Sequence, residues 1–291
     1  MMKMTWQTIF IVILLALIYS CTESVDTDFQ GQNSQPVINC LFSTDKNIQI
    51  HTFKTTGISA NYFETAIDLP VKLYGNGQLI WKGKTDESGI ASAPVTPEAG
   101  KSYSVQIEDS QGRILSASDT MPEKVRILKA EYIYPVYTDE YYTQFGKLSL
   151  SFQDNPNNRN YYEIVLLNSR DSSIVLTFNV NHPVITLDNE SDPNPPGSLL
   201  FTDELFEGQQ LDLDIFTESE KPLVVLKNIS EKYYEYKSSL NTHLFTQNIK
   251  RENIYELFKA DPVELYSNVS NGLGIFAAYT EDVAAPKMLK P

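Results

Sequence analysis

The chain predicts a mainly β protein, and three observations carry the prediction. Short runs alternate apolar and polar residues with the period of two that a half-buried strand requires. Clusters of Gly, Asn and Asp separate those runs, as hairpin turns demand. The 17 Tyr and 14 Phe join many Val and Thr, the residue types that pleated surfaces favour. Residues 36–122 read as an immunoglobulin-like or transthyretin-like β-sandwich. Residues 123–291 read as a larger β-rich domain with one amphipathic helix near 230–247.

The elements follow in order. Residues 37–42 form an apolar string, and Ile48-Gln49-Ile50-His51-Thr52-Phe53 alternates. Residues 71–74 and 79–83 flank Gly75-Asn76-Gly77, where Gly and Asn supply the positive φ of a tight hairpin. A second turn at 86–89 leads into 90–93. Tyr103-Ser104-Val105-Gln106-Ile107-Glu108 alternates, a turn at 109–112 reverses the chain, and 113–118 return. Met121-Pro122-Glu123 breaks the pattern and marks the domain boundary. Beyond it, strands are expected at 125–134, 148–152, 161–167, 174–180, 210–215 and 223–226. Turn chemistry fills 154–160, and a polar, Pro-rich loop spans 188–198. The strand at 210–215 puts Asp212 and Asp214 on one face. Ser230 is placed to cap a helix, with Glu231 favourable at its positive end. Tyr233, Tyr236, Leu240, Leu244 and Gln247 recur at steps of three and four, a stripe widened by Phe245 that suits a helix plugging one face of a sandwich. Asn271-Gly272-Leu273-Gly274 reads as a tight turn before a last strand at 275–279.

The N-terminus addresses the protein to a membrane. Lys3 precedes a continuously apolar run over 9–18, and Tyr19-Ser20-Cys21 follows. Charge, apolar core and a small residue before a cut site make a secretory signal over residues 1–20. The run is too short to span a bilayer, which takes about 20 apolar residues. Cys21, preceded by Ser20 and with Ile18 three residues before it, resembles the cleavage cysteine of a bacterial lipobox. On that reading Cys21 becomes the first residue and carries acyl chains, palmitate among them. Two or three chains anchor stably where one does not, since each buried CH2 contributes about 0.8 kcal/mol. Residues 21–35 are polar and acidic, with Glu23, Asp26 and Asp28, and read as a flexible tether. Acidic residues close behind such a cysteine resemble the export signals of surface lipoproteins in Bacteroidota.

Composition excludes several functions. Lys and Arg number 23 against 37 Asp and Glu, a net charge of −14. That balance argues against nucleic acid and against adhesion to an anionic membrane by charge. With Cys21 acylated, Cys40 has no disulfide partner and reads as a buried small hydrophobe. His51, His182 and His243 fall in an expected strand, loop and helix, and no Gly-x-Ser-x-Gly elbow or zinc spacing accompanies them. Phosphate-binding glycine loops are missing too. No catalytic residue is assigned and no cofactor is expected.

Three features remain as candidate sites. Asp188, Glu190, Asp192 and Asn194 alternate oxygen ligands as a calcium loop would, and Asp154 with Asn158 does so with less charge. Neither has the glycine and terminal glutamate of an EF-hand. Asp119-Thr120-Met121 resembles the short O-glycosylation motif of Bacteroidota exported proteins, with Thr120 as acceptor. Tyr132, Tyr134, Tyr137, Tyr141 and Tyr142 cluster in one segment, and exposed tyrosines suit binding surfaces.

Four strings together resemble the Bacteroidota lipoprotein family catalogued as domain of unknown function 4249. They are Pro36-Val37-Ile38-Asn39-Cys40-Leu41-Phe42-Ser43, the Asn76-Gly77 hairpin, Phe201-Thr202-Asp203-Glu204-Leu205-Phe206-Glu207-Gly208, and Tyr266-Ser267-Asn268-Val269-Ser270-Asn271-Gly272-Leu273-Gly274-Ile275-Phe276. The resemblance covers nearly all of the chain after Cys21. It implies an outer-membrane lipoprotein, often encoded beside a TonB-dependent receptor, and brings no ligand, reaction or catalytic residue. The expected function is therefore non-enzymatic: a lipid-anchored accessory to a TonB-dependent β-barrel receptor, in nutrient capture or receptor assembly, at the cell surface or the periplasmic face. A surface adhesin or structural lipoprotein is the alternative, and a hydrolase with a spatially assembled carboxylate site is a further one.

Overall fold

The computed structural model describes residues 34–56, 63–156, 158–178, 182–188, 197–247 and 263–290. The first half runs β1 (Pro36–Ser43), β2 (Ile48–Lys54), β3 (Glu64–Thr65), β4 (Pro70–Gly75), β5 (Gln78–Lys84), β6 (Ile90–Ala93), β7 (Ser102–Glu108) and β8 (Ile114–Thr120). The second half continues β9 (Ile127–Thr138), β10 (Gln144–Gln153), β11 (Tyr161–Asn168), β12 (Thr177–Phe178), α1 (Pro183–Asp188), β13 (Ser198–Thr202), β14 (Gln210–Thr217) and β15 (Pro222–Ile229). It closes with α2 (Glu231–Gln247), β16 (Leu273–Ala284) and β17 (Lys287–Leu289). No helix among the described residues is long and apolar enough to cross a membrane.

The expected mainly β architecture is present, as two sandwiches that share one sheet. The shared sheet has eight strands in the order β13-β11-β15-β16-β1-β2-β3, with β6 also on β2. A four-stranded sheet, β5-β4-β7-β8, faces its β1–β2 end, and a five-stranded sheet, β12-β14-β10-β9-β17, faces its β11–β15 end. The first core joins Ile38, Cys40 and Phe42 of β1 to Val71, Leu73, Val105, Ile107 and Leu115. The second joins Tyr162, Ile164 and Leu166 of β11 to Leu148, Phe152, Leu213 and Ile215. In each strand these are the alternate residues, so period two became the buried face.

Chain from far downstream completes the first sandwich. β16 lies parallel to β1, with Ile38 opposite Gly274 and Phe42 opposite Ala278, and antiparallel to β15. Phe276 and Ala278 enter the first core. A parallel pair needs a long crossover, and everything from β2 to α2 lies between the two strands. Gly274 permits the approach: its φ is +106°, and a Cβ there would sit 2.0 Å from the carbonyl oxygen of Ile38. The expected turn at 271–274 is thus shorter than its glycines implied. It occupies Asn271 and Gly272, and Leu273 and Gly274 already belong to β16. At the hairpin between β4 and β5, Asn76 and Gly77 both take positive φ, as that dipeptide requires.

Two further expectations are corrected. Of the strand expected at 174–180, only Thr177–Phe178 forms, and Ile174 makes an isolated bridge to Leu167; Asn179 and Val180 lie outside the described residues. The buried face of α2 also matches the Tyr–Leu stripe only in part, with Tyr233 and Tyr236 in the packed cluster. Tyr233 and Asn241 are buried with Lys237 partly so, whereas Leu244 is 43% exposed. Two residues of the helix, Tyr233 and Lys237, reach a buried charge on the sheet.

Candidate functional site

That charge is Glu163 of β11, 1% exposed. Ser198 Oγ donates to Oε1 at 2.8 Å, and Lys227 Nζ and Tyr233 OH donate to Oε2 at 2.7 and 2.8 Å. Lys237 Nζ lies 3.4 Å from Oε1. Burial pushes the carboxyl up, but the two lysines and the hydrogen bonds outweigh it and hold the group at about 2. Lys227 also lies over the rings of Tyr233 and Tyr279, at 5.8 and 5.3 Å. Glu163 therefore clamps α2 onto the shared sheet, beside an apolar contact of Leu200, Ile229, Ile275 and Ala277.

Two other buried carboxylates do similar work. Asp119 accepts from Ser230 Oγ, from Ala278 N at 2.8 Å and from Thr120 N at 2.9 Å. Ser230 in turn accepts from Tyr233 N at 3.2 Å, the cap expected from sequence. One aspartate thus ties β8, β16 and α2 together. Asp154 accepts from the Tyr162 hydroxyl and from Gly208 N at 2.6 Å. Nearby, Asp203 accepts from Asn160 N at 2.8 Å. Burial raises the carboxyls of Asp119 and Asp154 above the ordinary range, against the pull of these bonds.

The strings that carried the family resemblance fall on these joints. Asp203 and Gly208 belong to the Phe201–Gly208 string. The segment holding Asn268, Ser270 and Asn271 closes the edge of β8: Ser270 N donates to Ser116 O at 2.8 Å, and Asn271 Nδ2 to Ile114 O at 2.9 Å. Asn268 bridges back to Phe276, accepting its N–H at 2.9 Å and donating to its carbonyl at 2.8 Å.

Other candidates separate. Cys21, Glu190, Asp192 and Asn194 lie outside the described residues, and Asp188 ends α1. Asp154 is consumed by Tyr162 and Gly208, while Asn158 is exposed. Among the described residues no group of three or more His, Cys, Asp or Glu could hold a metal ion. Thr120 is exposed at the end of β8, with its Oγ1 2.7 Å from Ser102 Oγ. Cys40 is buried in the first core, which pushes its thiol well above the ordinary range. His51, His182 and His243 sit on β2, just before α1, and on α2. Asp212 and Asp214 are exposed on β14, where Asp214 takes Ser149 Oγ at 2.6 Å and Lys147 Nζ at 3.3 Å.

The tyrosine cluster splits between strand β9 and the hairpin tip that follows it. Tyr132 is fully buried, and Tyr137 stacks on Phe145 at 4.7 Å. Tyr141 and Tyr142, at the tip of the β9–β10 hairpin, are 80% and 89% exposed. Asp139 Oδ1 sets that tip by accepting from Tyr141 N at 2.9 Å and Thr143 N at 2.8 Å.

A groove that sequence reasoning missed lies on the outer face of β1 and β2. Its volume is about 530 Å3, and Asn39, Leu41, Lys46, Gln49, His51 and Phe53 contribute to its lining. Asn39 stands opposite His51 in the register. Alternation was the available signal: it assigned Ile38, Cys40, Ile48 and Ile50 to the core, which leaves Asn39, Leu41, Gln49 and His51 on the other face.

No curated protein matches the chain. Among solved structures it is similar to the fibronectin(III)-like modules of Clostridium thermocellum CbhA, at 11% identity over 87% of this chain and 91% of that chain, with a TM-score of 0.22. A likeness that low adds nothing to the fold described above. The family comparison is of another kind: the family described as Domain of unknown function (DUF4249) matches residues 22–284, and the chain belongs to that family.

Proposed function

We propose that this protein is a lipid-anchored, non-enzymatic binding protein of the outer membrane, an accessory to a TonB-dependent receptor in nutrient capture or receptor assembly. The observation that carries the reading is Cys21, directly behind the apolar run at 9–18, with the family match opening at the next residue. The tether behind it would let the folded body stand off the membrane. Polar and aromatic groups open to solvent, in the β1–β2 groove and at the Tyr141–Tyr142 tip, support a binding role.

Two experiments test it. Metabolic labelling with a clickable palmitate analogue should tag the protein, and Cys21→Ala should abolish the tag and release the protein from membranes. Tagged protein, pulled down from outer membranes solubilised in mild detergent, should bring a stoichiometric β-barrel receptor. An unlabelled wild type removes the anchor; repeated recovery without any barrel removes the accessory role. Binding of partner-free protein to whole cells through Tyr141 and Tyr142 would instead favour a surface adhesin.

A further inference from the structure

The β1–β2 groove differs from the rest of the surface in its charge. The chain carries 37 carboxylate side chains, yet among the described residues none lines this groove, whose titratable groups are Lys46, His51, Cys40 and Tyr279. Its volume falls within the range of about 300–1,000 Å3 usual for small-ligand sites. β1 is paired to β16 over Val37–Ser43 and to β2 over Pro36–Asn39, and β2 is paired on its other side to β3 and β6. The two strands are not paired with each other beside Leu41 and Gln49, and the side chains that line the groove are what a ligand would meet there.

Those side chains are of two kinds. Asn39, Gln49 and His51 make no side-chain hydrogen bond to the described chain, and their amides and imidazole offer donors and acceptors side by side. Next to them runs an aromatic strip: His51 stacks on Phe53 at 6.3 Å, and Phe53 meets Phe63 at 6.2 Å. Phe63 is 81% exposed. A sugar ring presents the matching pair of surfaces, an apolar C–H face for stacking and a rim of hydroxyls that both donate and accept. A purely apolar occupant would strip water from Asn39, Gln49 and His51 without replacing its hydrogen bonds. A cationic ligand would find no counter-charge in the groove.

We propose that the outer face of β1 and β2 binds a short oligosaccharide, neutral or uronate-bearing, with its rings over Phe53 and Phe63 and its hydroxyls on Asn39, Gln49 and His51. The inference rests on the reading of the protein as a binding protein and requires no receptor. Full-length protein in a non-glycosidic detergent is applied to a glycan array. It is then titrated calorimetrically with cellohexaose, xylohexaose and oligogalacturonate, together with any glycan the array picks out. At least one glycan should bind. The double variant Asn39→Ala with Gln49→Ala, and separately Phe63→Ala, should each weaken it at least about tenfold without moving the unfolding midpoint. Silence across the array and the titrations overturns the site, as does glycan binding indifferent to both variants. The titration contains no β-barrel, so a failed pull-down leaves it readable and a failed titration leaves the pull-down readable.

Discussion

The outer face of the shared sheet has two ends, and they were treated differently. Over β11, β15 and β16 the face is covered by α2, and each oxygen of Glu163 is held by two groups. Over β1 and β2 no described residue covers the same face or brings a carboxylate to its groove, and none hydrogen-bonds the side chains of Asn39, Gln49 and His51. The strands differ accordingly: β2 alternates buried and more exposed residues, whereas β11, β13 and β15 are buried almost continuously. The difference lies in who satisfies the polar residues: the protein itself at the covered end, solvent or a ligand at the open one. A buried ion cluster is weak evidence for net stability, but losing one partner strands the other charge, and every group that holds Glu163 comes from the protein itself.

The most severe way to break the comparison is to detach the open end from the covered one. Gly274→Ala puts a methyl group into the Ile38 carbonyl at a positive φ. It should cost more than about 4 kcal/mol, seen as loss of soluble folded protein; a variant with wild-type unfolding would mean that β16 does not need that glycine. Removing the clamp comes next. Glu163→Ala strands Lys227 and should destabilise by about 3–5 kcal/mol in urea unfolding. Adding Lys227→Met to it should recover part of that loss, and a purely additive double variant would show that the two groups do not interact. Asp119→Ala leaves the buried Ala278 N–H without its acceptor and should cost about 1–3 kcal/mol; a change under half of that would release Asp119 from its role as a tie.

Acid sharpens the contrast, and the sign follows from the shifts. Glu163 is held at about 2 against an ordinary 4.5, so on acidification the unfolded chain takes the proton first. Its stabilisation is full above about pH 4.5 and is lost as pH falls toward about 2. Asp119 and Asp154 are raised above 3.8, so the folded chain takes their protons first and each adds stability as pH drops through its raised value. Urea midpoints followed down to about pH 2 should show the Glu163 loss in the wild type and not in Glu163→Gln. Parallel curves would assign the acid response elsewhere. The smallest effect belongs to the open end: Asn39→Ala and Gln49→Ala should each stay within about 0.5 kcal/mol of wild-type stability. A larger loss would show that these amides serve the fold.

How much was legible can be argued from particular residues. Ile38, Cys40 and Phe42 announced their face by alternation, Asn76-Gly77 its hairpin, and Ser230 its cap. The stripe on α2 held only in part: Tyr233 is buried and Tyr236 packs beside it, but Leu244 is exposed, while Lys237 reaches Glu163 and Asn241 is buried. Of the strand expected at 174–180, the described residues 174–176 had suitable side chains but no ladder, and Thr177–Phe178 pair with β14. Strand propensity becomes a strand only where a neighbouring backbone is free to pair. The groove was half legible, as the discarded face of two well-read strands.

By itself the sequence determined what is local: where strands alternate, where φ turns positive, where a helix is capped, and where an apolar leader gives way to Cys21. These properties depend on a few consecutive residues and their backbone preferences. Only the tertiary structure decided that β16 returns to lie parallel to β1, that Glu163 finds Lys227 and Tyr233 sixty-four and seventy residues away, and that one end of a sheet face is covered while no described residue covers the other. Those outcomes turn on which distant segment buries which surface and neutralises which charge, and no period or motif in one stretch of chain encodes its partner.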